Sequence, residues 1–174
     1  MLENILKARE QRWFRRLKTV EKYLLPVVTI TLNIPGPQKD AEIFIKTHKV
    51  ITGIFLDLLN TQAGFLVTYR EDNLDYDGPE TLLAVKGEAL DLKKLALEIE
   101  EKHPLGCLVD IDVMDERQNI LSRLDLNRPE RSCLVCGQKV RSCIATKKHT
   151  WFEVMEIVKQ IIDMYFSKSH KGDF

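Results

Sequence analysis

The run His103-Pro-Leu-Gly-Cys-Leu-Val-Asp-Ile-Asp-Val113 sets two carboxylates, Asp110 and Asp112, two residues apart in otherwise apolar surroundings. A strand has a side-chain period of two, so both acids emerge on one face while Ile111 and Val113 serve the core. Like charges on one face repel, and a divalent cation is the most economical counter-charge for such a pair. The solvent face of an antiparallel strand alternates polar and apolar residues in the same way, so a surface reading stands beside the metal reading.

Downstream, residues 123–148 carry Arg123, Arg128, Arg131, Lys139, Arg141, Lys147 and Lys148 against Asp125 and Glu130, seven basic side chains to two acidic ones. Paired carboxylates beside a basic segment are what phosphoryl or nucleotidyl transfer requires: acids to hold Mg²⁺, cations to take the charge of the leaving group. Asp125 is a candidate third carboxylate if the hairpin turn is tight, although a surface aspartate has the same pattern. Cys133-Leu-Val-Cys136-Gly137, with Cys143 and His149, has the spacing C-x2-C-x6-C-x5-H of a zinc knuckle, against the alternative of reduced core thiols. Cys107 lies close enough to His103 for a nucleophile pair, but no predicted helix aligns them, and a small buried hydrophobe is the expected role of Cys107. Neither a G-x-x-x-x-G-K-[ST] loop nor a G-x-G-x-x-G fingerprint occurs, which argues against P-loop ATPases and dinucleotide oxidoreductases.

These residues need elements to hold them. Residues 2–24 repeat Leu6, Trp13, Leu17, Val20 and Leu24 at helical spacing, with Arg9, Arg12 and Arg16 read as a solvated basic face. Residues 27–34 alternate as a half-buried strand, the Pro35-Gly-Pro37 turn breaks it, and a helix runs to about Leu59. Strands follow at 65–69 and 81–85 around an acidic loop, then a helix at 90–102 stopped by Pro104. The acid-bearing strand, a turn at 115–119, a partner strand at 120–126 and a last helix at 150–166 complete the order. His48 falls mid-helix and His170 in a charged tail, and neither is given a role. The pattern predicts a single α+β domain over 1–174, a mixed or antiparallel sheet of about five strands flanked by helices, with 127–149 as a basic cysteine-containing loop.

Twenty-six basic and twenty-six acidic residues cancel, so no global field recruits nucleic acid or an anionic membrane. No apolar run approaches the roughly twenty residues of a bilayer span. The charged N-terminus is unlike a signal peptide, and the four cysteines are expected in a reducing cytoplasm.

Asn33-Ile-Pro-Gly-Pro-Gln-Lys39, the His103 to Val113 run, Ile120-Leu-Ser-Arg123 and Arg131-Ser-Cys-Leu-Val-Cys136, with Cys143 and Lys148-His149, together resemble the apo-citrate lyase phosphoribosyl-dephospho-CoA transferase family, the holo-citrate-lyase acyl-carrier-protein synthases. The resemblance runs from the Ala8 to Arg12 stretch to the last helix. It implies a nucleotidyltransferase-like fold and transfer of 2′-(5″-triphosphoribosyl)-3′-dephospho-CoA onto a serine of the citrate lyase acyl carrier protein, the gamma subunit, with release of pyrophosphate. In that reading Asp110 and Asp112 are catalytic and hold Mg²⁺. Arg123, Arg128 and Arg131 clamp the triphosphate, Gly106 joins the substrate-binding residues, and Lys39 with the Pro35 to Pro37 turn forms a second wall. Arg9 and Arg12 are further candidates for phosphate or for docking an acidic carrier, and His103 for a general base. The Asp-x-Asp pair is similar to that of nucleotidyltransferases, but the Gly-Ser that precedes it there by about a dozen residues is missing. The malonate decarboxylase system uses the same prosthetic group, so the choice of carrier rests on the resemblance. A small zinc-binding interaction module and a non-catalytic carrier-protein adaptor are the competing readings.

Overall fold

The computed structural model describes residues 2–36 and 39–169. Pro37 of the predicted turn and His170 lie outside the described residues. Five antiparallel strands form one sheet in the order β2-β3-β1-β4-β5, with β1 at Val27–Leu32, β2 at Leu66–Asp75, β3 at Gly78–Lys86, β4 at Val109–Met114 and β5 at Ile120–Leu121. The helices are α1 (Leu2–Tyr23), α2 (Glu42–Thr61), α3 (Ala89–Lys102), α4 (Val140–Ala145) and α5 (Trp151–Ser169). Among the described residues no helix is long and apolar enough to cross a membrane.

Both faces of the sheet are covered, so β1 is buried along its whole length rather than half-buried. Val28, Ile30, Val85, Ile111 and Val113 pack under α2, α3 and α5 through Phe55, Leu92, Ile99, Val158 and Ile162. The opposite face carries α1 over a smaller cluster of Val20, Val27, Leu82, Ala84 and Met114. Burial of these apolar side chains, at about 25 cal/mol per Å², is what drives the two layers together.

Three elements depart from the sequence reading. The stretch between the predicted strands at 65–69 and 81–85 is a continuation of both: β2 and β3 form a long hairpin whose turn is only Tyr76–Asp77. The polar run in β2 is legitimate in an edge strand, where charge discourages pairing with other chains, and Glu71 ties the row by accepting hydrogen bonds from Tyr69 (2.7 Å) and Asn73 (3.0 Å). On the other edge, β5 stops after two residues. Asp125 Oδ2 accepts from the Ser122 N–H (2.7 Å) and hydroxyl (2.8 Å), turning the chain into a short 3-10 turn at Leu124–Leu126. Asp125 is therefore a turn residue and not a third carboxylate facing Asp110. The third departure is α4, a six-residue helix inside the predicted loop.

The short β5 leaves the edge of β4 open between Val109 and Ile111. Charged side chains close it: Glu100 Oε1 accepts from the Ile111 N–H (2.9 Å), Lys93 Nζ donates to the Ile111 carbonyl (2.9 Å), and Arg131 Nη1 donates to the Val109 carbonyl (2.6 Å). An unpaired buried backbone group costs about 1–3 kcal/mol, which explains why three charges are committed there.

Candidate functional site

Asp110 and Asp112 do share one face of β4. They stand opposite Thr31 and Thr29 of β1, on the side of the sheet covered by α1. Their side chains keep 46% and 29% of their surface exposed, so they form an accessible pair at the rim of the buried layer. Each already faces a guanidinium: Arg131 Nη2 lies 3.0 Å from Asp110 Oδ1, and Arg16 Nη2 lies 2.9 Å from Asp112 Oδ2. Thus arginines supply the counter-charge that the sequence reading assigned to a cation. The demand is not fully met, however. Burial, then the neighbouring Asp112 carboxylate, push the Asp110 carboxyl above its usual range, and Arg131 only partly offsets them.

Of the α1 arginines expected on a solvated face, Arg9 is exposed but Arg12 and Arg16 are not. Arg12, Arg15 and Arg16 turn toward the sheet, while Leu6, Trp13, Phe14 and Leu24 are exposed. The true inward stripe runs Ile5, Ala8, Arg12, Arg16, Val20, Tyr23, with helical spacing kept and arginines in its middle. The acids that attract Arg12 and Arg15 come from the β2–β3 hairpin, whereas Arg16 meets Asp112 of β4. Asp77 receives Arg9 (3.0 Å), Arg12 (3.0 Å) and Lys39 (2.7 Å), and Glu80 receives Arg12 (3.7 Å) and Arg15. Together with the Arg16 pair, five cations here meet three acids, and Nε of Arg12, Arg15 and Arg16 is buried without a hydrogen bond among the described residues. Lys39, expected in a cleft wall, is buried and committed to Asp77.

Asp77 offers a pH test. Burial raises its carboxyl, but hydrogen bonds from Arg9 and Lys39 and the charges of Lys39 and Arg12 outweigh it, so the folded value lies below the ordinary 3.8. A lowered folded value means stabilisation that is complete above the unfolded value and is lost as pH falls through the folded one. Asp77→Asn, which keeps one acceptor oxygen, is expected to lower stability by about 2 kcal/mol near pH 7. It should also flatten the acid limb of stability below about pH 4. Urea denaturation of both proteins across that range checks this, and an unchanged acid limb would count against the assignment.

A cleft of about 1150 Å³ is lined by Arg9 of α1, Asn33 to Pro35 after β1, Glu100 and Glu101 of α3, Cys107, the 128–134 segment and parts of 140–154, whereas Asp110 and Asp112 are not among its lining residues and touch it only through Arg131. Arg123, Arg128 and Arg131 all line it. Arg123 Nη2 lies 2.8 Å from Glu100 Oε2 and Nη1 lies 3.1 Å from Glu101, Arg131 Nη2 lies 2.7 Å from Glu100 Oε1, and Arg128 reaches Glu101 only at 4.0 Å. Arg131 therefore spans from the cleft lining to Asp110. Glu100, its side chain 1% exposed, organises the arginines and was not singled out by sequence reasoning, since it reads as one charge among several on α3. Arg16 was missed as a partner of Asp112 for the same reason.

Other predicted residues are placed differently. Gly106 is buried, and a Cβ there would come within 2.1 Å of the Ile99 carbonyl, so its lack of a side chain serves close packing on the end of α3. Cys107 is exposed in the cleft rather than a buried hydrophobe, and burial of its sulfur environment raises its thiol, the wrong direction for an activated nucleophile. His103 Nδ1 accepts the Leu105 N–H (3.1 Å) and its ring packs on Tyr165, which leaves it a loop-bracing role. His48 is buried with Nε2 3.0 Å from the Ile30 carbonyl. The other cluster forms as its spacing predicted: one ligand atom each of Cys133, Cys136, Cys143 and His149 lies within 4.8 Å of the others, an arrangement able to hold a metal ion.

A single antiparallel sheet with helices on both faces, a partly exposed acid pair and a separate cleft lined by three arginines define an α+β protein. A profile of the family described as apo-citrate lyase phosphoribosyl-dephospho-CoA transferase matches residues 1–165. Proteins of that name from Escherichia coli O1:K1 / APEC and from Shigella flexneri serotype 5b (strain 8401) are each 32% identical over 164 residues, covering 93% of this chain and 88% of theirs. The chain belongs to this family.

Proposed function

We propose that residues 1–174 act as one transferase domain that moves the 2′-(5″-triphosphoribosyl)-3′-dephospho-CoA group onto a serine of the apo citrate lyase acyl carrier protein, in the cytoplasm. In this nucleotidyl transfer the serine Oγ forms a bond to the phosphorus nearest the ribose, the bond from that phosphorus to the next phosphate oxygen breaks, pyrophosphate leaves, and the hydroxyl proton passes to solvent or a base. The observation that carries the reading is the cleft: its volume suits a ligand of CoA size, Arg123, Arg128 and Arg131 line it, and Arg131 connects it to the Asp110 carboxylate.

The chain's own residues then divide the work. Arg131 and Arg123, held by Glu100, present preoriented guanidinium groups to phosphate oxygens, where bidentate charge-assisted bonds are strongest. Arg128, more exposed and weakly paired, is free to follow the leaving group. Asp110 and Asp112 are the residues that would hold Mg²⁺, whose charge neutralises polyphosphate oxygens when bound. The Asp110 carboxyl, raised first by burial and then by the Asp112 charge, fits that assignment because a bound cation would offset both.

The test is direct. Apo-carrier, the triphosphate precursor, Mg²⁺ and the purified chain are mixed, and the carrier is weighed by mass spectrometry while pyrophosphate is measured. The expected result is a carrier heavier by the prosthetic group, one pyrophosphate released per carrier, and no reaction with a malonate decarboxylase carrier at equal concentration. An unchanged carrier mass with intact protein would overturn the reading, and binding without a covalent product would favour a non-catalytic adaptor.

A further inference from the structure

The segment 127–149 is a poor candidate for folding by burial alone. Cys133 and Cys143 are its only buried residues. Two thiols are a meagre core, and small units of this kind are held by a metal or a covalent staple. We infer that Cys133, Cys136, Cys143 and His149 bind one Zn²⁺ as a structural site, and that this metal fixes the wall of the cleft from which Arg131 projects.

Four observations carry the inference. First, the ligand atoms lie within 4.8 Å of one another, and the Cys136 and Cys143 sulfurs are 3.5 Å apart, near the spacing of about 3.3–3.8 Å that tetrahedral bonds of 2.0–2.3 Å impose. A disulfide needs about 2.05 Å and would use only two of the four groups. Second, the backbone is shaped for a knuckle. The Gly137 N–H donates to the Cys133 carbonyl (2.9 Å), the Cys133 N–H to the Gln138 carbonyl (2.6 Å), Ser132 bridges to Lys139, and Gly137 takes φ +70°. A side chain at that φ would be strained, so the glycine is what permits the turn. Third, His149 Nε2 is buried with no hydrogen-bond partner among the described residues. One ring nitrogen of the same imidazole belongs to the four-residue cluster with the three thiols, as a metal ligand would. Fourth, three sulfurs and one imidazole form a soft donor set, which selects Zn²⁺ over Mg²⁺ or Ca²⁺, and four protein ligands leave no open position for catalysis.

The consequence reaches the cleft through the chain. Arg131 lies two residues before Cys133, while Cys133, Cys143 and His149 themselves line the cleft. Anchoring the knuckle holds the Arg131 backbone at a set distance from Glu100 and Asp110. Binding displaces the thiol protons to solvent, so metal retention weakens as pH falls.

Metal content reads the site whether or not the transferase reading holds. The full chain, produced with zinc available under reducing conditions and passed over a weak chelating resin, is expected to carry about one zinc per chain by mass spectrometry. Cys136→Ser and His149→Ala should retain much less. Replacement by Co²⁺ should give the intense visible bands of a tetrahedral thiolate site, which needs no variant to fold. Removal of the metal by a strong chelator should speed amide exchange across 128–149 while β1, β3 and β4 stay protected. Wild-type protein holding less than roughly a tenth of an equivalent after zinc is offered would overturn the inference. So would a Cys136–Cys143 disulfide in freshly reduced protein, and unchanged exchange at 128–149 would overturn the anchoring role.

Discussion

Asp110→Asn and Asp112→Asn are each expected to lower kcat/KM for carrier loading by about 10²–10³-fold, the usual cost of removing one electrostatic element from a preorganised site. The fold should survive both changes, for different reasons. Asp110 sits in the folded protein with its carboxyl raised by burial and by Asp112, so its ionised form is disfavoured there. A group of this sign stabilises fully below its unfolded value, about 3.9, and loses that contribution as pH rises through the raised folded value. Asn carries no charge, so Asp110→Asn should unfold at the same or slightly higher urea concentration near neutral pH and should remove the decline. The half-exposed side chain keeps this effect small. Asp112→Asn instead strips Arg16 of the one ion-pair partner it has among the described residues, and Arg16 is largely buried, so a loss of about 1–2 kcal/mol is expected. If the acids merely anchor Arg16 and Arg131, both Asn variants will retain activity within about tenfold at saturating Mg²⁺, and the catalytic assignment fails.

Much of this site was legible in the residues themselves because its signals are local. The period-two placement of Asp110 and Asp112, the stop at Pro104, and the C-x2-C-G knuckle are all decided by neighbours along the chain, and the structure has each of them. What the residues hid is decided by partners far away in sequence. Arg12 and Arg16 read as a wet face until the hairpin places Asp77 and Glu80, and β4 places Asp112, beneath α1. The polar run Arg70 to Asn73 reads as a loop because strand propensity measures burial, and an edge strand is only half buried. Asp125 looked like a strand residue because its hydrogen bond to Ser122, which ends β5, has no periodicity to betray it. Gly106 was placed among the substrate-binding residues, whereas its lack of a side chain is required by two carbonyls of α3 that no local pattern could place.

Glu100 is the residue on which the greatest loss of stability should fall. Its carboxylate is 1% exposed and meets Arg123 (2.8 Å), Arg131 (2.7 Å) and the Ile111 N–H (2.9 Å) at once. Glu100→Ala removes the charge that both guanidinium groups share and leaves a backbone donor of the open β4 edge unpaired. Breaking one side of a buried pair costs about 3–5 kcal/mol. Both arginines are about a fifth exposed and keep a second acceptor, Glu101 for Arg123 and Asp110 for Arg131, so the expected loss is near the lower end, about 3 kcal/mol. Glu100→Gln keeps an oxygen for the Ile111 N–H while losing the charge, and should cost about half as much. The two variants thereby separate the backbone role from the ionic one: urea midpoints that fall equally would mean that charge dominates, and a Gln variant indistinguishable from wild type would mean that the edge bond dominates. In Glu100→Ala the remaining acceptor for Arg131 beyond the Val109 carbonyl is Asp110, so the guanidinium is drawn toward the acid pair and away from the cleft. The same variant should therefore raise KM for the triphosphate substrate more than it lowers kcat, whereas a purely structural role for Glu100 would lower the yield of folded protein and leave KM unchanged.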